Sequence, residues 1–554
     1  MFKITLVNRF LCPVPGNSPE TAPIYMIFNG RASFFIAPHG INSYTPRMLT
    51  LKSLIFNGIT ATEIEVQVQA TGGLAEQKLR IIGLVDKAVA ESGERIRNAL
   101  AAMNLSLPNK LVTVNLAPAD LEKSGAAFDL PILCGILCVM GILPESELSK
   151  YVIMGEIGLD GKLQKTNGIL PASVWAAEHN MGIICPGPQG GEARWAGHTN
   201  IIAPNHIIDL INHFKGTQVL PTPAPITPPQ SAATTGDMAE VRGQSAAKRA
   251  LEIAAAGGHA MLMCGPPGSG KTMLASRLPG IMPPLTPREI LDCSIIYSIA
   301  GQLDARSLVS SRPFRAVHHT ASAVALAGGG VDAKPGEISL AHNGVLFLDE
   351  LPEFQRQTLE ILRQPIEQGK ITISRARRNA TYPARFQLIA AMNPCPCGHL
   401  GNAKLSCTRA PRCAEAYQNK ISGPLLDRID LHVDVEAVNP WEMRAPAEVE
   451  TSEVVRTRVV SARMCQLNRA RELFGREILN AHLDGKDLDA AVQLDNETTK
   501  FLNAAAEKMG LSARGYQRIK RIARTIADLR ESANVELNDI TEAISYRPIN
   551  RGKF

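Results

Sequence analysis

Apolar and polar positions acquire a regular period only at Met48-Leu-Thr-Leu-Lys52; residues 1–47 are punctuated by Pro and Gly and hold neither a period of 2 nor one of 3.6. Either Met48 is the true start, or residues 1–47 are a short extension, disordered or forming an edge strand. Beyond it, alternation at Ile64, Val66 and Val68 predicts a strand, Leu79 to Leu84 a second, and Ala88 to Ala102 a helix. Val112 to Leu116, an apolar helix over Asp129 to Met140 and a turn at Asp160-Gly161 complete a mixed α+β unit over residues 48–215. The stretch 216–237 carries Pro221, Pro223, Pro225, Pro228 and Pro229 among Thr, Ala and Ser, which reads as a linker.

From Met238 strands and helices alternate, the pattern of a parallel sheet covered on both faces, over residues 238–438. Its predicted strands are Ala260–Cys264, Gly344–Leu348 and Phe386–Met392. Residues 439–554 turn helical, with helices predicted over Glu453–Phe474, Asn496–Lys508, Ala513–Glu531 and Leu537–Tyr546. The fold class is therefore multidomain α/β: an α+β front unit, a central α/β unit and a helical C-terminal unit.

A chain of 554 residues exceeds what one core organises. The net charge of +6 permits contact with nucleic acid without arguing for it. Eleven cysteines, no secretory leader and no apolar run of membrane-spanning length point to a reduced, cytoplasmic protein without membrane contact.

The chemistry is concentrated in the central unit. Gly265, Pro266, Pro267, Gly268, Ser269, Gly270, Lys271 and Thr272 follow a predicted strand and open a predicted helix, the setting of a P-loop. Backbone N–H groups and the helix N-terminus would cradle phosphates, Lys271 would hold the β- and γ-phosphates of ATP, and Thr272 would ligate Mg²⁺. Asp349 and Glu350 end an apolar strand, where Asp349 would hold Mg²⁺ and Glu350 would polarise the attacking water; as an alternative the acidic pair caps the next helix, a role Glu353 could fill instead. Asn393 ends the third strand and resembles the sensor-1 asparagine of AAA+ ATPases. Arg428, in Ser422-Gly-Pro-Leu-Leu-Asp-Arg, resembles the finger that AAA+ subunits insert into a neighbour's site, and Arg514 resembles sensor 2.

Arg312-Pro-Phe-Arg-Ala-Val-His-His319, Gly328 to Gly330, Pro335 to Phe354 and Ile371-Thr-Ile-Ser-Arg-Ala376 resemble the magnesium-chelatase-like AAA+ proteins of the YifB/ComM group, and the likeness runs from about Met48 to Tyr546. The resemblance implies a hexameric ring ATPase, acting on single-stranded or branched DNA as a branch-migrating helicase in recombination or natural transformation, with recombination proteins as further partners. It also implies a Lon-protease-like fold for residues 48–215. There Ala127 stands where the Lon serine belongs and Leu170 where its lysine belongs, so no peptidase activity is expected, although Ser124 and Lys165 lie nearby in sequence.

Cys395, Cys397, Cys407 and Cys413 form an insertion, residues 395–413, that reads either as a structural Zn²⁺ site, with His399 as a substitute ligand, or as free thiols in a loop; the spacing is not that of two C-x₂-C knuckles. Lys370, Arg375, Arg377, Arg378 and Arg385 lie where the resembled fold has a pore hairpin, and His318 and His319 fall on another pore-facing loop. Arg456, Arg458, Arg463, Arg469 and Arg471 add charge to the C-terminal unit. Arg514, Arg518, Arg521 and Arg524 are spaced to share a helix face open to nucleotide, DNA or a neighbouring subunit. Two rivals to the DNA motor remain: a chelatase-type ATPase that remodels a protein or metal-insertion partner, and a scaffold that binds ATP without turning it over.

Overall fold

The computed structural model describes residues 27–28, 31–32, 48–72, 78–197, 200–225, 236–304, 307–330, 333–375, 378–398, 412–437 and 450–547. Contacts divide the chain into Met1–Arg47 and Met48–Phe554. In the first unit Ile27–Phe28 pairs antiparallel with Arg31–Ala32; the rest of the expected extension lies outside the described residues.

In the second unit, β1 (Leu49–Asn57) and β2 (Thr60–Thr71) form an antiparallel pair. They join β3 (Lys78–Ile82), β4 (Leu111–Ala117), β5 (Tyr151–Ile153), β6 (Gly182–Ile184) and β7 (Ile201–Ile202) in a mixed sheet of order β7-β6-β5-β1-β2-β4-β3. The alternation that predicted β2 is the alternation observed: Ile64, Val66 and Val68 have no exposed surface, each burial contributing about 1.5–3 kcal/mol. The predicted helix over residues 88–102 is broken at Glu91, leaving α1 (Ser92–Ala102). On the sheet lies α2 (Asp129–Val139), apolar all round; a Cβ on Gly135 would stand 2.5 Å from Val68 Cγ2, so glycine permits the helix to approach this closely. Helix α3 (Ile169–Glu178) carries the contact to the next region.

That region holds α4 (Ser245–Gly257), β8 (Met261–Cys264), α5 (Lys271–Ile281), α6 (Pro287–Ala300), β9 (Phe314–Val317), β10 (Val345–Leu348), the hairpin β11 (Lys370–Arg375) and β12 (Arg378–Pro383), β13 (Gln387–Met392), α7 (Arg412–Gln418) and β14 (Leu431–Asp434). Strands β9-β10-β13-β8-β14 form an all-parallel sheet in that order. The three predicted strands are its centre, buried on both faces as their unbroken apolar runs require; β9 and β14 flank them at the edges.

The C-terminal region adds α8 (Ser452–Phe474), α9 (Asn496–Met509), α10 (Ala513–Leu529) and α11 (Leu537–Ser545), as the helical period predicted. Ile519, Ile522, Ala523 and Ile526 of α10 share one core with Leu251 and Ala254 of α4 and with Met261 and Met263 of β8. The front region is joined to the parallel-sheet region at α3 and α6. Buried Glu192 accepts from the Leu170 amide (3.1 Å), Gln189 Nε2 (3.1 Å) and Ser298 Oγ (2.6 Å), and the Ser298 carbonyl accepts from the Gly168 amide (3.2 Å). Burial pushes the Glu192 carboxyl above its ordinary pKa despite these three donors.

Candidate functional site at the carboxyl edge of the parallel sheet

Parallel strands deliver their C-terminal residues to one edge, and here β8, β9, β10 and β13 each deliver chemistry there. After β8 the chain enters the glycine-rich loop. A Cβ on Gly265 would collide with the Val435 carbonyl, so this position has room only for glycine, while Gly268 and Gly270 take φ of 74° and 86°. Helix α5 then starts at Lys271, whose ammonium donates to the carbonyls of Gly265 (2.8 Å) and Pro266 (2.9 Å) and to Asn393 Oδ1 (3.2 Å). Burial lowers the Lys271 pKa, and Asp349 nearby opposes that shift. Thr272 Oγ1 donates to Asp349 Oδ2 at 2.8 Å. An ammonium at a helix N-terminus fits phosphate, and an adjoining hydroxyl and carboxylate are the hard oxygen donors that Mg²⁺ takes.

Glu350 occupies a left-handed backbone conformation, φ 52°, with its amide donating to Asp349 Oδ1 at 2.9 Å. Its carboxylate is not free: Oε2 lies 3.1 Å from His319 Nδ1. His319 therefore has a partner at this sheet edge that the sequence did not suggest. Strand β9 runs parallel to β10 with Val317 opposite Leu348, so the residues after Val317 emerge beside Asp349 and Glu350. His318 bonds Thr320 Oγ1 at 2.8 Å, and its ring lies 4.1 Å from that of His319, tilted by 34°. Tyr417 of α7 is a second neighbour that the sequence did not suggest. It is buried, and burial, followed by the charges of Glu353 and Glu350, drives its phenol pKa up. Glu353 pairs with Lys420 at 3.2 Å.

Cys395 and Cys397 follow Asn393, their sulfurs 3.2 Å apart, and Gly398 packs on Pro267 of the P-loop. Cys413 lies in the first turn of α7, while Cys407 and His399 are outside the described residues. Among the described residues no three His, Cys, Asp or Glu side chains gather as a metal site, so the zinc expectation finds no support.

Arg428 and Arg514 sit at the other end of the sheet. A cleft of about 490 Å³ at the amino edge is lined by Arg428, Arg514, Arg518, Arg521 and Asp427. Arg428 bonds Glu367 and, at 2.5 Å, the Pro424 carbonyl. Arg514 is exposed at the start of α10. The rest of the expected basic face on this helix turns inward: Arg518 donates to the Asp427 carbonyl (2.5 Å), Arg521 to that of Leu483 (2.5 Å), and Arg524 is buried on Asp528 (3.1 Å) and the Ser532 and Ala533 carbonyls. The α8 arginines are likewise engaged within the chain. Arg456 bonds the Gly280 carbonyl, Arg458 Glu252, Arg469 Asp528 and Arg471 Glu477. Arg463 bonds the Ala255 carbonyl, with burial lowering its pKa to about 9.

Of the hairpin cations, Lys370 and Arg385 are exposed at its base. Arg375 and Arg378 are paired in register, and Arg377 lies outside the described residues. The hairpin is buttressed from the front region, where Gly58 packs on the Thr381 backbone.

Comparison with known proteins matches three family models in succession: subunit ChlI of Mg-chelatase over residues 64–188, magnesium chelatase subunit ChlI over 237–443, and its C-terminal part over 449–547. The uncharacterized protein YifB of Salmonella typhimurium is 40% identical over 495 residues, covering 89% of this chain and 96% of that protein. Competence protein ComM of Haemophilus influenzae is 40% identical over 500 residues, with the same coverage. The chain belongs to the magnesium-chelatase-like YifB/ComM family. That family carries the AAA+ ATPase domain, so use of ATP and Mg²⁺ follows from membership. The chloroplast magnesium-chelatase subunit ChlI of rice is more distant, 24% identical over 213 residues and 38% of this chain. No helix among the described residues of this YifB/ComM-family chain is long and apolar enough to cross a membrane.

Proposed function

We propose that this YifB/ComM-family chain is a cytoplasmic AAA+ motor that hydrolyses ATP and moves DNA through a ring of identical, head-to-tail subunits, six by family resemblance. The observation that carries this reading is the meeting of Lys271, Thr272, Asp349, Glu350 and Asn393 at one sheet edge while Arg428 and Arg514 stand at the other. Lys271 and the loop amides would hold the phosphates, Thr272 and Asp349 would hold Mg²⁺, Asn393 would orient the attacking water, and Glu350 would draw its proton. When bound there, Mg²⁺ would neutralise charge on the transferring phosphoryl group. Arg428 and Arg514 complete the site of the next subunit, where an arginine stabilises charge on the transferring phosphoryl group.

Support for DNA comes from the basic hairpin and from the relative named a competence protein. Arginines there grip phosphates without reading sequence. Recombination proteins are the proposed recruiting partners. The front region, residues 48–215, is read as a Lon-like fold without peptidase chemistry: Leu170 is fully buried, and Lys123 is buried with its ammonium on the Pro118 carbonyl. A second reading, a chelatase-type remodeller of a protein partner, draws on the chelatase-subunit models along the chain. ATP turnover of the full chain with and without branched and single-stranded DNA separates the two. Stimulation by DNA, abolished in Lys271→Ala, is the expected result; turnover indifferent to DNA overturns the motor reading.

A further inference from the structure

A buried triad links the loop that carries Arg428 to the helix that carries Arg514. His259, two residues before the start of β8, has no exposed surface. Its Nδ1 lies 2.9 Å from Asp430 Oδ2 and its Nε2 lies 2.8 Å from Thr525 Oγ1. Asp430 follows Arg428 by two residues, and Thr525 stands on α10 about three turns beyond Arg514. Around the triad, Arg518 donates to the Asp427 carbonyl (2.5 Å) and its Nε lies 3.7 Å from Asp430 Oδ1. Asn480 Nδ2 donates to Thr525 Oγ1 at 3.0 Å.

One role for such a network is adhesion of the C-terminal helices. The apolar face of α10 already supplies that, through Ile519, Ile522, Ala523 and Ile526 packed into the common core. Burying an imidazole, a carboxylate and a hydroxyl carries a desolvation cost and adds little where apolar packing is available. What a fully bonded polar cluster adds is fixed geometry, because its partners satisfy one another in only one arrangement. The geometry fixed here is that of residues 427–430 against α10, hence of Arg428 against Arg514.

We infer that His259, with Asp430 and Thr525, is a positioning unit for Arg428 and Arg514, setting the two arginines at the separation a neighbouring subunit's nucleotide requires. The inference rests on the reading above that these arginines act on a second copy of the chain. A variant of the triad then belongs to the same class as Arg428→Ala: sound in its own P-loop and defective toward its neighbour.

The test uses full-length Lys271→Ala, Arg428→Ala, His259→Gln, Thr525→Val and Thr525→Ser, alone and mixed in pairs before ATP is added. His259→Gln and Thr525→Val are expected to bind ATP with unchanged affinity and to lose about 10- to 100-fold in kcat, the scale of a small misplacement. Thr525→Ser, which keeps the hydroxyl, retains the wild-type rate. Mixing either defective variant with Lys271→Ala raises turnover above the sum of the two, since one supplies the P-loop and the other the arginines; mixing with Arg428→Ala does not. If Arg428→Ala itself is not rescued by Lys271→Ala, action on a neighbour is refuted and the inference goes with it. If Arg428→Ala is rescued but His259→Gln and Thr525→Val are not, or if Arg428→Ala rescues them, the triad does not position the arginines while action on a neighbour stands. Weakened ATP binding in both triad variants, or wild-type turnover in Thr525→Val, overturns the inference as well.

Discussion

Glu350 holds a backbone conformation that its side chain disfavours, and this allows the structural cost of the proposed catalytic position to be measured. At φ 52° an L-residue with a Cβ carries about 1–2 kcal/mol relative to the right-handed region. Glycine is free of that penalty but loses about 0.4–1 kcal/mol through its looser unfolded chain. Both Glu350→Gly and Glu350→Ala lose the half-exposed contact to His319, so comparing them cancels it. The difference leaves Glu350→Gly more stable than Glu350→Ala by about 1 kcal/mol. Denaturant unfolding of the two full-length variants without nucleotide reads this directly as a shift in midpoint at equal slope. Neither variant should turn over ATP, while both should bind it, because Lys271, Thr272 and Asp349, the groups proposed to meet phosphate and Mg²⁺, stay in place. Stability of the alanine variant equal to or above that of the glycine variant would refute the argument that the turn after β10 forces the conformation.

Three further outcomes are expected. His319 and Glu350 form a pair with side chains 29% and 48% exposed, worth about 0.2–1 kcal/mol, which the carboxylate would have to leave in its proposed role; His319→Ala should raise DNA-free turnover about 1.5- to 5-fold, whereas a fall in kcat would mean the imidazole aims Glu350 instead. Glu192 has its carboxyl pKa raised by burial. Its protonated form therefore stabilises the junction fully below the ordinary carboxylate value, and that stability is lost as pH rises through the elevated one. Thermal midpoints should fall over this window more steeply for wild type than for Glu192→Gln, and parallel curves would exclude Glu192 as the source. Thr272→Val removes the hydroxyl bonded to Asp349 and should demand at least about 10-fold more Mg²⁺ for half-maximal turnover; an unchanged Mg²⁺ titration would count against its role as a ligand.

What could be read from the sequence depended on whether a function is carried by contiguous residues. The P-loop and the Asp349-Glu350 pair are local strings on buried apolar strands, and such strands announce themselves. Strand β9 does not: four residues long at the sheet edge, it includes Arg315 paired with Glu337, and without it nothing places His319 beside Glu350. The available signal was the His pair directly after Phe314-Arg-Ala-Val317, once that run is taken as a strand parallel to β10. Spacing likewise put Arg518, Arg521 and Arg524 on one face of α10 but not which way the face turns. Their acceptors are largely main-chain carbonyls, of Asp427, Leu483, Ser532 and Ala533, and since every residue has a carbonyl no sequence pattern marks them.

The position of the arginines bears on assembly through length alone. Strand β8 spans Met261–Cys264, which at about 3.3 Å per residue separates the two sheet edges by about 13 Å before any loop is added. Arg428 follows the turn into the amino end of β14, beside the Ala260 carbonyl that accepts from Asp430, while Lys271 and Asn393 lie beyond the carboxyl end. An arginine so placed does not reach its own subunit's γ-phosphate position while the sheet stays intact. In the proposed ring the contact is heterologous, with the amino edge of one subunit facing the carboxyl edge of the next, and repetition of such a contact closes on itself only at a fixed rotation. In that arrangement hydrolysis would require assembly, because the proposed active site is shared between the two ends of the same sheet.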